Sequence, residues 1–173
     1  MKNVVMVIAH KGFRDEELLE PKEVLENNKI KVKIASTELI QAQGKLGALI
    51  KPDILLKDIN LADFDALVFI GGPGSLGYWD DPLAHKLLND AVISGKVIGG
   101  ICSAVVTLAK SGILKGKNAT VFPDDAQELI NNGVNYTAAS IEIDGNIITA
   151  VGPQAAKDFG EEIVRALSKT QGV

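Results

Sequence analysis

Cys102 is the only cysteine in the chain, and it follows directly on the run Val97-Ile98-Gly99-Gly100-Ile101. A small-residue, helix-forming stretch, Ser103-Ala104-Val105-Val106-Thr107-Leu108-Ala109, comes straight after it. An apolar strand, a reactive side chain on a sharp turn and then a helix is the layout of a nucleophile elbow. Gly100, Cys102 and Ala104 fit its spacing of small, nucleophile, small. Such a turn drives its central residue toward a strained backbone region, so the neighbours must be tiny to avoid collision. A helix opening near Ser103 aims its first N–H groups at the sulfur and favours thiolate over thiol, whose ordinary pKa is about 8.5. The same stretch also fits a small buried cysteine in a core strand.

Three other groups could serve that sulfur. Asp15-Glu16-Glu17 is either a solvated helix start or the source of one carboxyl aimed at Cys102. A carboxyl held protonated there could donate to a thiolate or an oxidised sulfur and later shuttle protons. The run Gly71-Gly72-Pro73-Gly74-Ser75-Leu76-Gly77 is either a permissive loop or exposed backbone whose N–H groups stabilise an oxyanion. Gly72 to Gly77 matches G-x-G-x-x-G, but it follows an internal strand, and Tyr78 to Pro82 separates it from the next helix, so a dinucleotide site is not expected. Of the two histidines, His10 is a possible site residue at a strand end, and His85 is expected on a surface helix. No Cys-His-Asp triad can be assembled, and no cluster has metal-ligand spacing.

These groups need elements to carry them. Residues 4–9 and 65–70 are continuously apolar, as strands buried on both faces are. Residues 10–15 read as a turn, and a helix follows that starts near Glu16 or Glu17, because Pro21 is tolerable only close to its first turn. Residues 30–35 form the next strand, which completes a β-α-β unit. Residues 41–47 look like a small hairpin or excursion. Pro82 opens a second helix closed at Ser94-Gly95, and the elbow helix ends at Ser111-Gly112. A short strand over 118–121, a helix over 124–131, a hairpin over 140–149 turning at Asp144-Gly145, and a last amphipathic helix over 154–168 complete the chain. Strands alternating with helices predict an open, doubly wound α/β sheet. In such a sheet the site lies beyond the carboxyl ends of the strands, where residues 10–17, 71–81 and Cys102 converge.

Composition narrows the class. With 173 residues, 46% hydrophobic and 23% charged, the chain is expected to form one soluble domain spanning 1–173. A net charge of −4 argues against a nucleic-acid partner. One cysteine permits no internal disulfide, and no apolar run suits a signal peptide or a bilayer span, so no membrane association and a cytoplasmic location are expected.

The ordered set Phe13…Glu17…Pro21, Phe69-Ile70-Gly71-Gly72-Pro73-Gly74 and Ile101-Cys102-Ser103-Ala104 resembles the ThiJ/PfpI superfamily. Later segments are similar too: Gly112-Ile113-Leu114-Lys115-Gly116, Ala119-Thr120-Val121-Phe122-Pro123, and Asp144-Gly145-Asn146-Ile147-Ile148-Thr149-Ala150. The resemblance implies a flavodoxin-like sandwich that associates as a homodimer or higher homo-oligomer. It also implies an elbow cysteine at Cys102, with the glutamate after the first strand hydrogen-bonded to the sulfur. Glu17 takes that place because it stands four residues before Pro21. Oxyanion-type amides fall on Gly74 and Ser75, helped by Ser103. Activities implied are glyoxalase III-type conversion of methylglyoxal to lactate, deglycation of early carbonyl adducts, redox sensing through a cysteine sulfinate, chaperone action, and peptidase action.

Departures from the family pattern select among these. Ser103 stands where peptidase-like members have histidine, and Phe122 stands where the deglycase branch has one. Tyr78 falls near the peptidases' neighbouring-subunit glutamate, and Gly152-Pro153-Gln154 replaces the His-x-Glu of related amidotransferases. The expected function is therefore cofactor-free, metal-free thiol chemistry on a small reactive carbonyl, with Cys102 as nucleophile and Glu17 as proton shuttle. The alternative is a stress protein whose Cys102 meets an oxidant without turnover, and a peptidase comes behind both. Tyr78 and Trp79 could gate the pocket or bury at a subunit contact.

Overall fold

A computed structural model describes residues 1–169. Strand β1 (Asn3–Val7) leads through a short β2 (Lys11–Phe13) into helix α1 (Asp15–Asn27) and back along β3 (Lys31–Ser36). An excursion carries β4 (Ala42–Gly44), β5 (Leu49–Ile50) and β6 (Ile54–Leu55) before β7 (Ala66–Phe69) re-enters the core. Helix α2 (Pro82–Ile93), strand β8 (Val97–Ile101) and helix α3 (Val105–Ser111) follow. The chain closes with β9 (Asn118–Ala119), α4 (Ala126–Asn131), β10 (Asn135–Tyr136), the hairpin β11 (Ile141–Asp144) and β12 (Ile147–Ala150), and α5 (Ala156–Lys169).

The main sheet has seven strands in the order β11-β12-β8-β7-β1-β3-β6, parallel throughout except for the antiparallel edge pair β11–β12. Alternation along β1 explains its double burial: Val5 and Val7 face one apolar layer, Val4 and Met6 the other. The first layer is filled by Leu87 and Leu88 of α2 and Leu108 of α3. The second takes Leu18 and Leu25 of α1 and Phe159, Ile163 and Leu167 of α5. Helices on both faces of a mostly parallel sheet make this the flavodoxin-like sandwich expected from the sequence. No described helix is long and apolar enough to cross a membrane.

Several local expectations need correction. Residues 11–13 are a strand rather than part of a turn: β2 pairs with β4, which pairs with β5, in a small second sheet. Helix α1 begins at Asp15, and Pro21 lies in its second turn. Packing explains the tolerance, since Pro21 is pressed against Gly160 of α5 so closely that a Cβ there would meet its Cα at 2.8 Å. The expected strand over 118–121 shrinks to Asn118–Ala119, which pairs in parallel with β10, a two-residue strand too short to show periodicity. The expected helix over 124–131 begins as a single tight turn, Pro123–Asp125, before α4. The hairpin turns on Gly145-Asn146, one residue later than expected, with Gly145 at φ 60°.

Candidate active site

The elbow has the predicted form. Strand β8 delivers the chain to Cys102, whose φ of 59° puts a side-chain-bearing residue in the left-handed region. Strain of this kind costs about 1–3 kcal/mol and persists only where the surroundings impose it. Here Gly100 packs against Leu108 so tightly that a Cβ would meet its Cδ2 at 3.0 Å, which leaves the incoming strand no freedom. A tight turn over Cys102–Ala104 then feeds α3.

The three consecutive acids diverge because successive helical side chains point about 100° apart. Asp15 turns toward the excursion, accepting the Leu46 N–H at 2.9 Å and the Ala48 N–H at 2.8 Å, and so pins the hairpin that carries Lys45. Glu16 accepts from Arg14, its Oε2 lying 3.0 Å from the guanidinium. Glu17 alone points inward, is fully buried, and faces Cys102. Gly71 lies between the two: a Cβ on it would lie 2.5 Å from Glu17 Oε1 and 2.8 Å from Cys102 Cβ.

Electrostatics at this pair are set by burial. Neither Glu17 oxygen has a partner in good hydrogen-bond geometry. Desolvation raises the carboxyl to about 8, although the Cys102 thiol and the Gly71 N–H favour its charged form. Burial, then the facing Glu17 charge, push the thiol up to about 12, against the pull of the Ser103 N–H and hydroxyl. Glu17 holds its proton at neutral pH, so its charge is absent there, and burial is the cause that keeps the thiol protonated. The expected lowering by the helix is thus reversed. Cys102 is only 8% exposed, and α3 proper starts three residues later, at Val105.

Cys102 opens onto a cleft of about 430 Å³ lined by Arg14, Glu17, Lys45, Gly72, Pro73 and Ser103, and closed by Phe122, Pro123 and residues 151–154. Arg14 feels both Glu17 and Cys102, which raise its pKa further after the Glu16 contact. Phe122 supplies an apolar wall where a histidine was absent from the sequence, and Gln154 adds an amide. Among the described residues no cluster of histidine, cysteine and carboxylate side chains could hold a metal.

Ser103 lies at the cleft beside the sulfur, but Gly74 and Ser75 do not line it. The Ser75 N–H is already given to the Gly72 carbonyl at 3.0 Å, and Gly74 is packed against the Lys11 carbonyl, where a Cβ would intrude to 1.9 Å. Gly72, Pro73 and Ser103 line the cleft together with Cys102 instead. His10 also lies outside it, in a shallow pocket with Thr37 and Tyr78, its Nε2 3.8 Å from Glu38. His85 is half-buried rather than free on the surface, with Nε2 2.7 Å from the Trp79 carbonyl oxygen. Tyr78 is neither gate nor exposed contact: it is buried, donates to the Ile8 carbonyl at 2.8 Å and stacks edge-on against Phe69. Trp79 braces the elbow, its indole N–H donating to the Ser103 carbonyl at 2.9 Å. Sequence reasoning missed Arg14, Lys45 and Asp125, the last of which accepts the Ser103 hydroxyl at 2.7 Å. Their roles depend on contacts between segments that no local pattern records.

An open parallel sheet with a strained elbow cysteine facing a buried glutamate defines a class of thiol protein. The chain belongs to the DJ-1/PfpI family, whose model matches residues 2–166. It is 42% identical over 174 residues to an uncharacterised protein of Methanocaldococcus jannaschii, covering 98% of this chain and 85% of that one. A Pyrococcus horikoshii protein named a deglycase is 29% identical over 163 residues, 94% of this chain and 98% of its own. A Caenorhabditis elegans protein named a glutathione-independent glyoxalase is 28% identical over 166 residues, 96% and 89% of the two chains. Among solved structures, a ThiJ/PfpI domain protein from Brachyspira murdochii superposes with a TM-score of 0.95 at 35% identity, covering 96% of each chain.

Proposed function

We propose that the chain is a cysteine-dependent enzyme that converts a small α-oxoaldehyde such as methylglyoxal to the corresponding 2-hydroxy acid. The observation that carries this is the buried Glu17 carboxyl, held up to about 8 beside Cys102 at the floor of the cleft. A group poised near neutral pH can both give and take a proton within one turnover. Relatives named deglycase and glyoxalase support a carbonyl substrate.

In the proposed sequence the Cys102 thiol gives up its proton to solvent water in the cleft as Sγ bonds to the aldehyde carbon, the carbonyl π pair moves to oxygen, and Glu17 protonates that oxygen to give a hemithioacetal. The Glu17 carboxylate then removes the remaining hydrogen of that carbon as a proton. Glu17 returns that proton to the neighbouring carbon, the hydroxyl proton of the first carbon passes to the neighbouring oxygen as C=O re-forms beside sulfur, and the proton first shed by the thiol reloads Glu17, leaving a 2-hydroxy thioester. One carbon is oxidised and its neighbour reduced, so no external electron carrier is needed. Water cleaves the thioester, releasing the hydroxy acid and restoring the thiol. The cleft of about 430 Å³ suits a small substrate, and early carbonyl adducts of amines or thiols present the same electrophilic carbon.

A second reading is favoured by the same protonated carboxyl, which could donate to a Cys102 sulfinate and hold it as a redox signal. The test follows methylglyoxal loss for the wild type, Cys102→Ala and Glu17→Gln, with intact-mass analysis after peroxide treatment. The enzyme reading expects wild-type turnover that both variants abolish. Wild type no faster than buffer, with ready gain of two oxygens on Cys102, rejects the enzyme and retains the sensor. A thiol inert to both reagents rejects both.

A further inference from the structure

We propose that the carbonyl compound taken by this cleft carries an anionic group, a carboxylate or a phosphate ester, which Arg14 and Lys45 bind while the carbonyl carbon sits over Cys102. The proposal rests on the carbonyl-enzyme reading and narrows its substrate class. A bare three-carbon aldehyde would leave both cations without a role.

The sheet order gives the cleft two unlike ends. Cys102 stands at the end of β8, with β12 on one side and β7, then β1, on the other. Val151 and Pro153 come from the β12 side, and so do Phe122 and Pro123, whose segment is tied to β12 by the Thr120 N–H on Thr149 Oγ1 at 3.0 Å. All four are apolar. Arg14, at the start of α1, and Lys45, on the hairpin of the small sheet, come from the β1 side. Lys45 is the one charged residue between Ala42 and Ile50. Its N–H donates to the Phe13 carbonyl at 2.8 Å, and the buried Asp15 carboxylate clamps the turn just beyond it through the Leu46 and Ala48 N–H groups. Burying a carboxylate is costly, and here it serves to fix the turn that brings a cation to the cleft. Among the described residues the Lys45 ammonium meets no carboxylate. Arg14 gives Nε and Nη2 to Glu16, which leaves Nη1 uncommitted among the described residues. A guanidinium donor beside an ammonium suits a carboxylate or phosphate oxygen pair.

Charge in the cleft runs against that of the whole chain. The chain has 22 Asp and Glu against 18 Lys and Arg, yet the charged side chains that line the cleft are the two cations and Glu17. Glu17 keeps its proton at neutral pH and so adds no negative charge there. An anion is repelled by the molecule at large and attracted at this one end of the cleft. Size agrees with a substrate longer than three carbons: the cleft of about 430 Å³ falls within the roughly 300–1,000 Å³ of sites that enclose drug-sized ligands.

Alkylation of Cys102 by iodoacetate and by iodoacetamide, alike in size and different in charge, reads the cations without requiring turnover. Rates are measured by intact mass at neutral pH for the full chain, native and in urea, as wild type, Arg14→Gln, Lys45→Gln, the double variant and Lys45→Glu. The ratio of the iodoacetate rate to the iodoacetamide rate is compared, so that a change in the thiol's own reactivity cancels. Two partly exposed charge contacts should raise the native ratio about tenfold above its value in urea, and each single glutamine variant should lose about threefold of that rise. Lys45→Gln decides most cleanly, since Lys45 has no carboxylate to strand, and Lys45→Glu should fall further. Salt at about 1 M should bring the native ratio most of the way to the urea value. A native wild-type ratio at or below the urea value overturns the proposal, as does a raised ratio that the double variant keeps. A sulfur that neither reagent reaches overturns it too, because the cleft then admits no anion of this size. At constant ionic strength, acetate and inorganic phosphate should slow iodoacetate; the stronger competitor tells carboxylate from phosphate ester, and competition by neither overturns the site. Turnover is then compared for a five-carbon α-oxoaldehyde ending in a carboxylate and for its methyl ester, with a lower KM expected for the acid and lost in the double variant. If the alkylation ratio behaves as expected while neither aldehyde is consumed, the anion site stands and the carbonyl-enzyme reading falls. If both are consumed alike and the ratio is flat, the anion site alone falls.

Discussion

Replacing Glu17 by glutamine should make the protein more stable as pH rises, relative to the wild type, because a buried carboxyl is a liability once the unfolded chain can ionise it. Burial raises Glu17 from its ordinary 4.5 to about 8. Below pH 4.5 the carboxyl is protonated in both states and its contribution is fully retained. Between 4.5 and 8 the unfolded chain gives up the proton while the native state keeps it. Unfolding then becomes easier by about 1.4 kcal/mol per pH unit, and the loss levels off above 8. Integrated from pH 5 to pH 8, the cost to the wild type is about 3–4 kcal/mol. Cys102 adds almost nothing to the difference in this window, since burial raises its thiol, the unfolded thiol is still mostly protonated at pH 8, and both chains carry it. Other titrating groups cancel in the difference between two chains that differ only at Glu17. Urea unfolding of wild type and Glu17→Gln at pH 5 and pH 8 measures that difference. With a slope of roughly 2 kcal/mol/M, the gap between the two midpoints should open in favour of glutamine by about 1.5–2 M across the window. A gap that stays constant from pH 5 to pH 8 would refute the buried, proton-loaded carboxyl and the chemistry built on it.

Three further perturbations test the scaffold around that pair. Gly71→Ala should cost about 1–3 kcal/mol or more in urea unfolding, because its Cβ would meet the Ile101 carbonyl at 2.6 Å as well as Glu17, and it should also change the alkylation rate of Cys102. Asp15→Ala leaves the Leu46 and Ala48 amides without their acceptor, so hydrogen exchange should accelerate at both and stability should fall by about 1–3 kcal/mol. Tyr78→Phe removes the donor to the Ile8 carbonyl at a cost of about 0.5–1.5 kcal/mol, with Cys102 alkylation left at the wild-type rate. A large change in thiol reactivity there would mean that Tyr78 reaches the site after all.

What the sequence revealed depended on the range of the signal. The layered sheet was readable because each central strand is buried on both faces and so is written as an unbroken apolar run. The elbow was readable because its steric demand falls on immediate neighbours, Gly100 and Ala104. Pairing of β2 with β4 and of β9 with β10 was not readable, since strands of two or three residues carry no period and take their stability from partners distant in sequence. Ser75 was misassigned for a related reason: its N–H looks available in a glycine-rich loop, but the tight turn from Pro73 to Tyr78 uses it on Gly72. The fate of Asp15, Glu16 and Glu17 shows the limit plainly. They are chemically near-identical and consecutive, and only the direction of α1 against the hairpin, Arg14 and the elbow decides which acid anchors, which pairs and which faces the sulfur.

The three features that the proposed chemistry needs all lower stability: a cysteine at φ 59°, a carboxyl buried without a good hydrogen-bond partner, and a proline inside α1. Each is held in place by a glycine that lets another element come close. Gly100 admits Leu108 behind the elbow, Gly71 leaves the gap in which Glu17 and Cys102 meet, and Gly160 lets α5 press on Pro21 one turn beyond Glu17. Pressing α5 against that turn fixes the register of α1, and so the direction of Glu17, although α5 contributes nothing to the cleft itself. The site is therefore positioned by backbone proximity more than by side-chain hydrogen bonds. That explains why so few polar contacts surround a pair of groups whose proton affinities are moved so far.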